Sequence, residues 1–183
     1  YSGGNISVFG KNSDGSLTEA KQVIQHFGKG INTQRQEGPH VHMVHFSPDN
    51  KYVLANDLGN DKVYSYAYNP NAATDILQIK DSLAVKSGSG PRHLTFSKDG
   101  KFVYLVQELD GTLTTLSWDK TGSLKVVAET SILPKDFKGG TGAAAIKISP
   151  DGNFLYVSDR VDANAISVYK ISKTGSLELV EQQ

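Results

Sequence analysis

Two arginines, a glutamate and a histidine occupy matched places in an internal repeat of this chain. Ser47, Ser97 and Ser149 mark the same point in three similar stretches, 50 and 52 residues apart. Five residues before each serine stand His42, Arg92 and Ala144; eleven residues after stand Leu58, Glu108 and Arg160. The surrounding pattern is kept while the side-chain chemistry changes, which is the mark of a site grafted onto a scaffold. An imidazole and a carboxylate can pass a proton, and two guanidiniums can hold an anion or a developing oxyanion. His42, Glu108, Arg92 and Arg160 are therefore the candidate catalytic group.

Their positions along the strands make the grouping physical. His42 and Arg92 open the first strand of their units, and Glu108 and Arg160 follow the end of the second. Adjacent antiparallel strands run in opposite directions, so the start of one lies beside the end of the next. All four are expected on one rim. Each also has a plainer reading taken singly: Arg92 and Glu108 as a structural ion pair, His42 as a strand-end histidine, Arg160 as a surface residue. His40 and His93 flank the group and are taken as substrate-binding candidates. Asp57 and Asp159, at equivalent positions, read first as caps of the loop after the second strand and second as substrate contacts. The run His40-x-His42-x-x-His45 raises a metal reading. Strand alternation puts His40 and His42 on one face and His45 on the other, leaving a carboxylate such as Asp57 to supply a third ligand. No metal and no cofactor are expected.

The elements that must position these residues are strands. The first full unit reads as Val41–Phe46, Tyr52–Asn56, Lys62–Tyr68 and 76–85, with Ser47-Pro48-Asp49-Asn50 as a tight turn. Ser97-Lys98-Asp99-Gly100 and Ser149-Pro150-Asp151-Gly152 repeat that turn. Residues 5–9 and 17–27 match only the outer half of a unit. Helical periodicity is absent, apart from a short turn expected at 134–137. A period near fifty residues with four short strands per unit is the signature of propeller blades. The chain is expected to be all-β: a β-propeller with four-stranded antiparallel blades, about three and a half of them. The divisions are an outer half-blade plus connection at 1–33, and blades at 34–86, 87–136 and 137–183. Phe46/Phe96/Ile148, Tyr52/Phe102/Phe154 and Val53/Val103/Leu155 are the expected blade-to-blade packing. A closed propeller has about four to eight blades, so the count suggests part of a larger ring with open edges that favour self-association.

Composition removes several function classes. Nineteen basic and nineteen acidic side chains cancel, which argues against nucleic acid or an anionic membrane as partner. With no cysteine, thiol catalysis and cysteine-ligated zinc are excluded. No apolar run approaches the roughly 20 residues of a membrane span. Tyr1 does not open a signal peptide, and a cytoplasmic location is the simplest expectation. No GxSxG elbow supports serine-nucleophile hydrolysis.

The segments RQEGPHVHMVHFSPDNKYVLANDLGNDKVYSY (from Arg35), GPRHLTFSKDGKFVYLVQEL (from Gly90) and AAAIKISPDGNFLYVSDR (from Ala143) resemble the lactonase family of seven-bladed β-propellers. The resemblance covers essentially the whole chain but about half of a family member. It implies a partial seven-bladed propeller whose site falls on His42, Arg92, Glu108 and Arg160. It also implies hydrolysis of a phosphorylated sugar lactone, 6-phospho-glucono-1,5-lactone, to 6-phosphogluconate in the pentose phosphate pathway without a metal. Either Glu108 or His42 would activate water, with Arg92 and Arg160 on the phosphate or the oxyanion. Two alternatives stand beside this: a muconate-type lactonising enzyme or isomerase using the same rim, and a non-catalytic interaction scaffold.

Overall fold

Short runs rich in Val, Ile, Tyr, Phe and Thr, bounded by Gly, Asp, Asn or Pro, favour extended backbone punctuated by tight turns. The computed structural model describes Tyr1–Gln183, and in it these runs form fourteen strands in four antiparallel sheets. The first sheet pairs β1 (Asn5–Lys11) with β2 (Leu17–Gln25). The second holds β3 (Val41–Phe46), β4 (Tyr52–Asp57), β5 (Lys62–Tyr68) and β6 (Leu77–Ala84). The third holds β7 (Pro91–Phe96), β8 (Phe102–Gln107), β9 (Thr112–Trp118) and β10 (Leu124–Ser131). The fourth holds β11 (Ala143–Ile148), β12 (Phe154–Asp159), β13 (Ile166–Ile171) and β14 (Leu177–Gln182). Within every sheet the strands lie in chain order. This is a partial propeller of about three and a half blades, with β3, β7 and β11 side by side on the inside.

The blades are held face to face by three apolar layers. Ile6 of the first sheet packs with Val41, Val53, Ala55, Tyr66 and Leu77 of the second. Leu54 and Val63 meet Leu94, Phe96, Val103, Leu105 and Leu116 of the third. Tyr104, Val106 and Leu113 meet Ala143, Ile146, Leu155, Val157 and Tyr169 of the fourth. Each fully buried aliphatic contributes about 1.5–3 kcal/mol, so the layers fix how one blade sits on the next. The equivalent residues Phe46 and Phe96 differ, however: Phe46 is exposed while Phe96 is buried. The second sheet covers the face of β7 that carries Phe96, whereas the two strands of the first sheet pack over Val41 at the head of β3 and over β4, β5 and β6, and leave Phe46 at the far end of β3 open.

The repeated serine has a mechanical role. Ser97 Oγ donates to Asp99 Oδ1 at 2.7 Å and accepts from the Phe102 amide at 2.9 Å, which locks the β7–β8 hairpin. Ser47 with Asp49 and Tyr52, and Ser149 with Asp151 and Phe154, repeat the lock. A short turn forms at 134–137 as expected, closed by the Phe137 amide on Pro134 O, and one helical turn lies at Leu58–Asn60. Asp57 caps it by accepting from the Gly59 amide. Gly59 cannot carry a side chain, because a Cβ there would run into the Gly38 carbonyl oxygen. That close approach presses the β4–β5 corner against the connection entering β3.

Candidate active site at the inner rim

The innermost strands share an irregularity that strand alternation alone does not reveal. The pairing of β3 with β4 shifts between Val41 and Met43, that of β7 with β8 between Pro91 and His93, and that of β11 with β12 between Ala143 and Ile146. His42 and Arg92 are thus the extra residues of β-bulges, and a bulge re-aims the side chain it carries. The alternation that put His45 opposite His42 is reset by the bulge and His40 precedes the strand, yet His40 and His42 do share a side, both against the Tyr1 ring. His45 bonds its neighbour's carbonyl, Phe46 O, through Nδ1.

Glu108, just past β8, is the centre of the site and is 4% exposed. Its amide donates to Gly90 O, which holds it at the head of β7. Oε2 accepts from Arg92 Nε at 2.8 Å and lies 3.9 Å from His42 Nε2. Oε1 faces Arg160 Nη2 at 3.3 Å and accepts from Arg35 Nη2 at 2.7 Å. Three blades and one connection therefore converge on a single carboxylate, and His42, Arg92, Glu108 and Arg160 are brought together. Arg92 is further fixed by donating through Nη1 to Ala144 O at 2.7 Å, so the third blade's alanine serves the site with its backbone.

The electrostatics follow from burial and this charge pattern. Burial would raise the Glu108 carboxyl, but the Arg35 hydrogen bond and the charges of Arg35, Arg92 and Arg160 outweigh it and hold the pKa below the ordinary value. Glu108 is an anion at neutral pH. Burial, then the Arg92 charge, lowers His42 below its ordinary 6.5, with Glu108 opposing. His93 falls to about 4 through burial and the charges of Arg92 and His42. Its ring lies edge-on to His42, 5.0 Å between centroids, with the Arg92 guanidinium 3.3–3.4 Å from both ring nitrogens. Both imidazoles are neutral at pH 7 and able to accept a proton.

The remaining sequence candidates divide. His93 joins the site. His40 lies beside it, stacked on the Tyr1 ring at 4.6 Å and 3.2 Å from Glu37 Oε1. Asp57 and Asp159 hold loops instead. Asp57 accepts from the His40 and Gly59 amides through Oδ1 and pairs with the buried His26 through Oδ2 at 2.7 Å. Asp159 accepts from Thr141 Oγ1 and from the Gly142 and Val161 amides. With both oxygens of each so engaged, their substrate-binding reading gives way to loop capping. Asp57 is likewise turned away from serving as third ligand beside His40 and His42.

Arg35 is the residue that comparison of the repeats overlooked. It lies in the connection before β3, outside the aligned part of the repeat, so matching positions could not find it. Its signal was the stretch Arg35-Gln36-Glu37-Gly38-Pro39-His40 running into the site strand. The placement is enforced by Gln36, which is fully buried and donates through Nε2 to Leu58 O and to Asp61 Oδ1, each at 2.8 Å. Asp61 in turn accepts from the Gly88 and Gly90 amides at the entry to β7.

A family profile described as lactonase, 7-bladed beta-propeller, matches residues 1–183. The chain belongs to this lactonase family. Within it, the chain is 34% identical over 184 residues to the 6-phosphogluconolactonase of Bacillus subtilis, covering 51% of that protein. A Lactobacillus plantarum protein of known structure superposes with a TM-score of 0.92 at 37% identity, covering all of this chain and 52% of that one. The periplasmic gluconolactonase of Pseudomonas aeruginosa superposes at 0.91 with 38% identity, covering 98% of this chain and 50% of that one. The chain spans about half the length of the curated relatives it matches. In this lactonase-family chain the bulged heads of β3 and β7, the ends of β8 and β12 and the connection carrying Arg35 together supply the rim cluster.

Proposed function

We propose that this chain carries the catalytic rim of a lactone hydrolase whose substrate is a sugar lactone, 6-phospho-glucono-1,5-lactone, opened to 6-phosphogluconate. The observation that carries the reading is the convergence of three guanidiniums and one neutral imidazole on the buried Glu108. Names borne by relatives support it: one is a 6-phosphogluconolactonase and another a gluconolactonase.

The roles follow from basicity. A carboxylate gripped by three arginines is a poor proton acceptor, because each cation stabilises its charged form. His42 is the better base: its burial and the Arg92 charge keep it neutral, and Glu108 stands 3.9 Å away to stabilise the imidazolium. Water loses a proton to His42 as its oxygen bonds to the lactone carbonyl carbon. The oxyanion so formed is held by guanidinium protons. When it collapses, the ring carbon–oxygen bond breaks and the ring oxygen takes the proton from His42, leaving a hydroxy acid. General acid–base help of this kind supplies about 10²–10⁴-fold, and charge stabilisation of the oxyanion a comparable factor.

The test is hydrolysis of 6-phosphogluconolactone by the whole protein, followed by acid release, for wild type, His42→Gln, Glu108→Gln and Arg92→Ala. Each variant is expected to lower kcat/KM at least about tenfold. Rates equal to wild type in all three would remove the rim as the site. Parallel assay of carboxy-muconate separates the lactonising alternative, and binding without turnover of either compound would mark the scaffold.

A further inference from the structure

Donor accounting around Glu108 separates the three guanidiniums. A guanidinium carries five N–H donors. Arg92 gives Nε to Glu108 and Nη1 to Ala144 O, and its side chain is 13% exposed. It is a fixed, largely enclosed member. Arg160 points Nη2 at Glu108 and gives Nε to Gly142 O, while Arg35 gives Nη2 to Glu108. Both stand half in solvent, 53% and 44% exposed, and the Tyr1 side chain also lies against Arg35. Three positive charges against one negative, with His42 and His93 neutral, leave an excess of two positive charges at one spot. Glu37 beside Arg35 and Asp159 beside Arg160 offset part of that excess from outside the cluster, but neither bonds a guanidinium of the rim. A singly charged carboxylate balances half of it, and a phosphate monoester, at about −1.5 to −2 near pH 7, balances nearly all.

We propose that Arg35 is a specificity-determining residue: with Arg160 it forms a subsite for the phosphate group of a phosphorylated substrate, so that the 28–40 connection is part of the site. The inference rests on the lactone-hydrolase reading for the identity of the substrate, but the phosphate subsite stands or falls on its own. The loop is built to hold Arg35 in place. Arg35 N and Gln36 N both donate to Asn32 O, Arg35 N also meets Asn32 Oδ1, and Gln36 is anchored in the interior through Leu58 O and Asp61. A fixed backbone under a half-exposed guanidinium is preorganised for an anion, since the ordering cost is met before the ligand arrives. Two guanidinium forks side by side also match the oxygens of a phosphate.

The experiment compares wild type, Arg35→Met and Arg35→Lys in the whole protein. The first readout is kcat/KM for 6-phosphogluconolactone divided by kcat/KM for unphosphorylated gluconolactone. Loss of a charge-assisted contact to phosphate corresponds to about ten- to a hundredfold, so that ratio should fall at least about tenfold in Arg35→Met and partly recover in Arg35→Lys. A ratio unchanged from wild type overturns the proposal, because Arg35 would then act on Glu108 or on the fold alone. The second readout, calorimetric titration with inorganic phosphate, needs no turnover. Weaker phosphate binding in Arg35→Met than in wild type supports the subsite even if neither lactone is hydrolysed. Equal phosphate affinity in the two, or no binding by wild type, overturns it.

Discussion

Glu108→Gln keeps the shape of the side chain and removes its charge, and the structure allows the cost to be worked through. The carboxylate faces Arg92 at 2.8 Å, Arg35 at 2.7 Å and Arg160 at 3.3 Å. Arg35 and Arg160 are half-exposed and can turn into water, so losing their pairing costs only about 0–1 kcal/mol each. Arg92 is different. Its guanidinium is enclosed and pinned to Ala144 O, and stranding a buried charge costs about 3–5 kcal/mol. The bond retained to Ala144 places the expected loss near the lower end, about 3 kcal/mol. For a chain of this size each kcal/mol moves Tm by about 2–4 °C, so the variant should melt about 6–12 °C lower at pH 7. The pH dependence is a stricter check. The folded pKa of Glu108 is depressed below its ordinary 4.5, so its charge stabilises the fold above the unfolded carboxylate range and that contribution is lost as pH falls through the folded value. Wild type and Glu108→Gln should therefore converge as pH falls below 4.5 and through the folded value. Circular dichroism melts of both proteins from about pH 3 to pH 8 make the comparison. Equal melting at pH 7, or a gap that persists undiminished at the acid end, would refute the assigned pairing.

Other expectations test separate parts of the structure. The acid limb of kcat/KM for lactone hydrolysis should lie below pH 6.5, because burial and Arg92 lower His42, with Arg160 adding to this, Glu108 opposing and His93 neutral beside it. A limb above that value would remove His42 as the base. Gly59→Ala places a methyl group against the Gly38 carbonyl and 2.7 Å from the His40 amide nitrogen, so urea unfolding should show a loss of about 4 kcal/mol or more, against which a change under about 1 kcal/mol would argue. Ser97→Ala strips a hydroxyl that donates to Asp99 and accepts from Phe102 N. It should cost about 1–2 kcal/mol and raise the Asp99 pKa seen by NMR, since the Ser97 bond is the main cause of its depression. An unmoved Asp99 titration would contradict the hairpin lock.

Much of this protein was readable from its residues. The fifty-residue period, the strand positions and the Ser-x-Asp turns are local patterns, since each depends on neighbours a few residues away. The rim set was readable for a related reason: copies of one unit place matched residues at matched heights, so His42, Arg92, Glu108 and Arg160 could be aligned without coordinates. What stayed hidden depends on which sheet lies beside which. The bulges at His42 and Arg92 are breaks in pairing between strands, and pairing is not written in either strand alone. Phe46 and Phe96 are the same residue type at the same place, yet only the one faced by a four-stranded neighbour is buried. Asp57 and Asp159 were readable as loop caps or as substrate contacts, and only the fold shows their oxygens facing backbone amides brought in from 17 residues away. Arg35 belongs to a connection outside the aligned part of the repeat, and it reaches Glu108 across 73 residues because Gln36 is buried against a neighbouring corner. Local spacing determines the strands and the positions that can carry chemistry; through-space burial and charge determine which of those side chains meet.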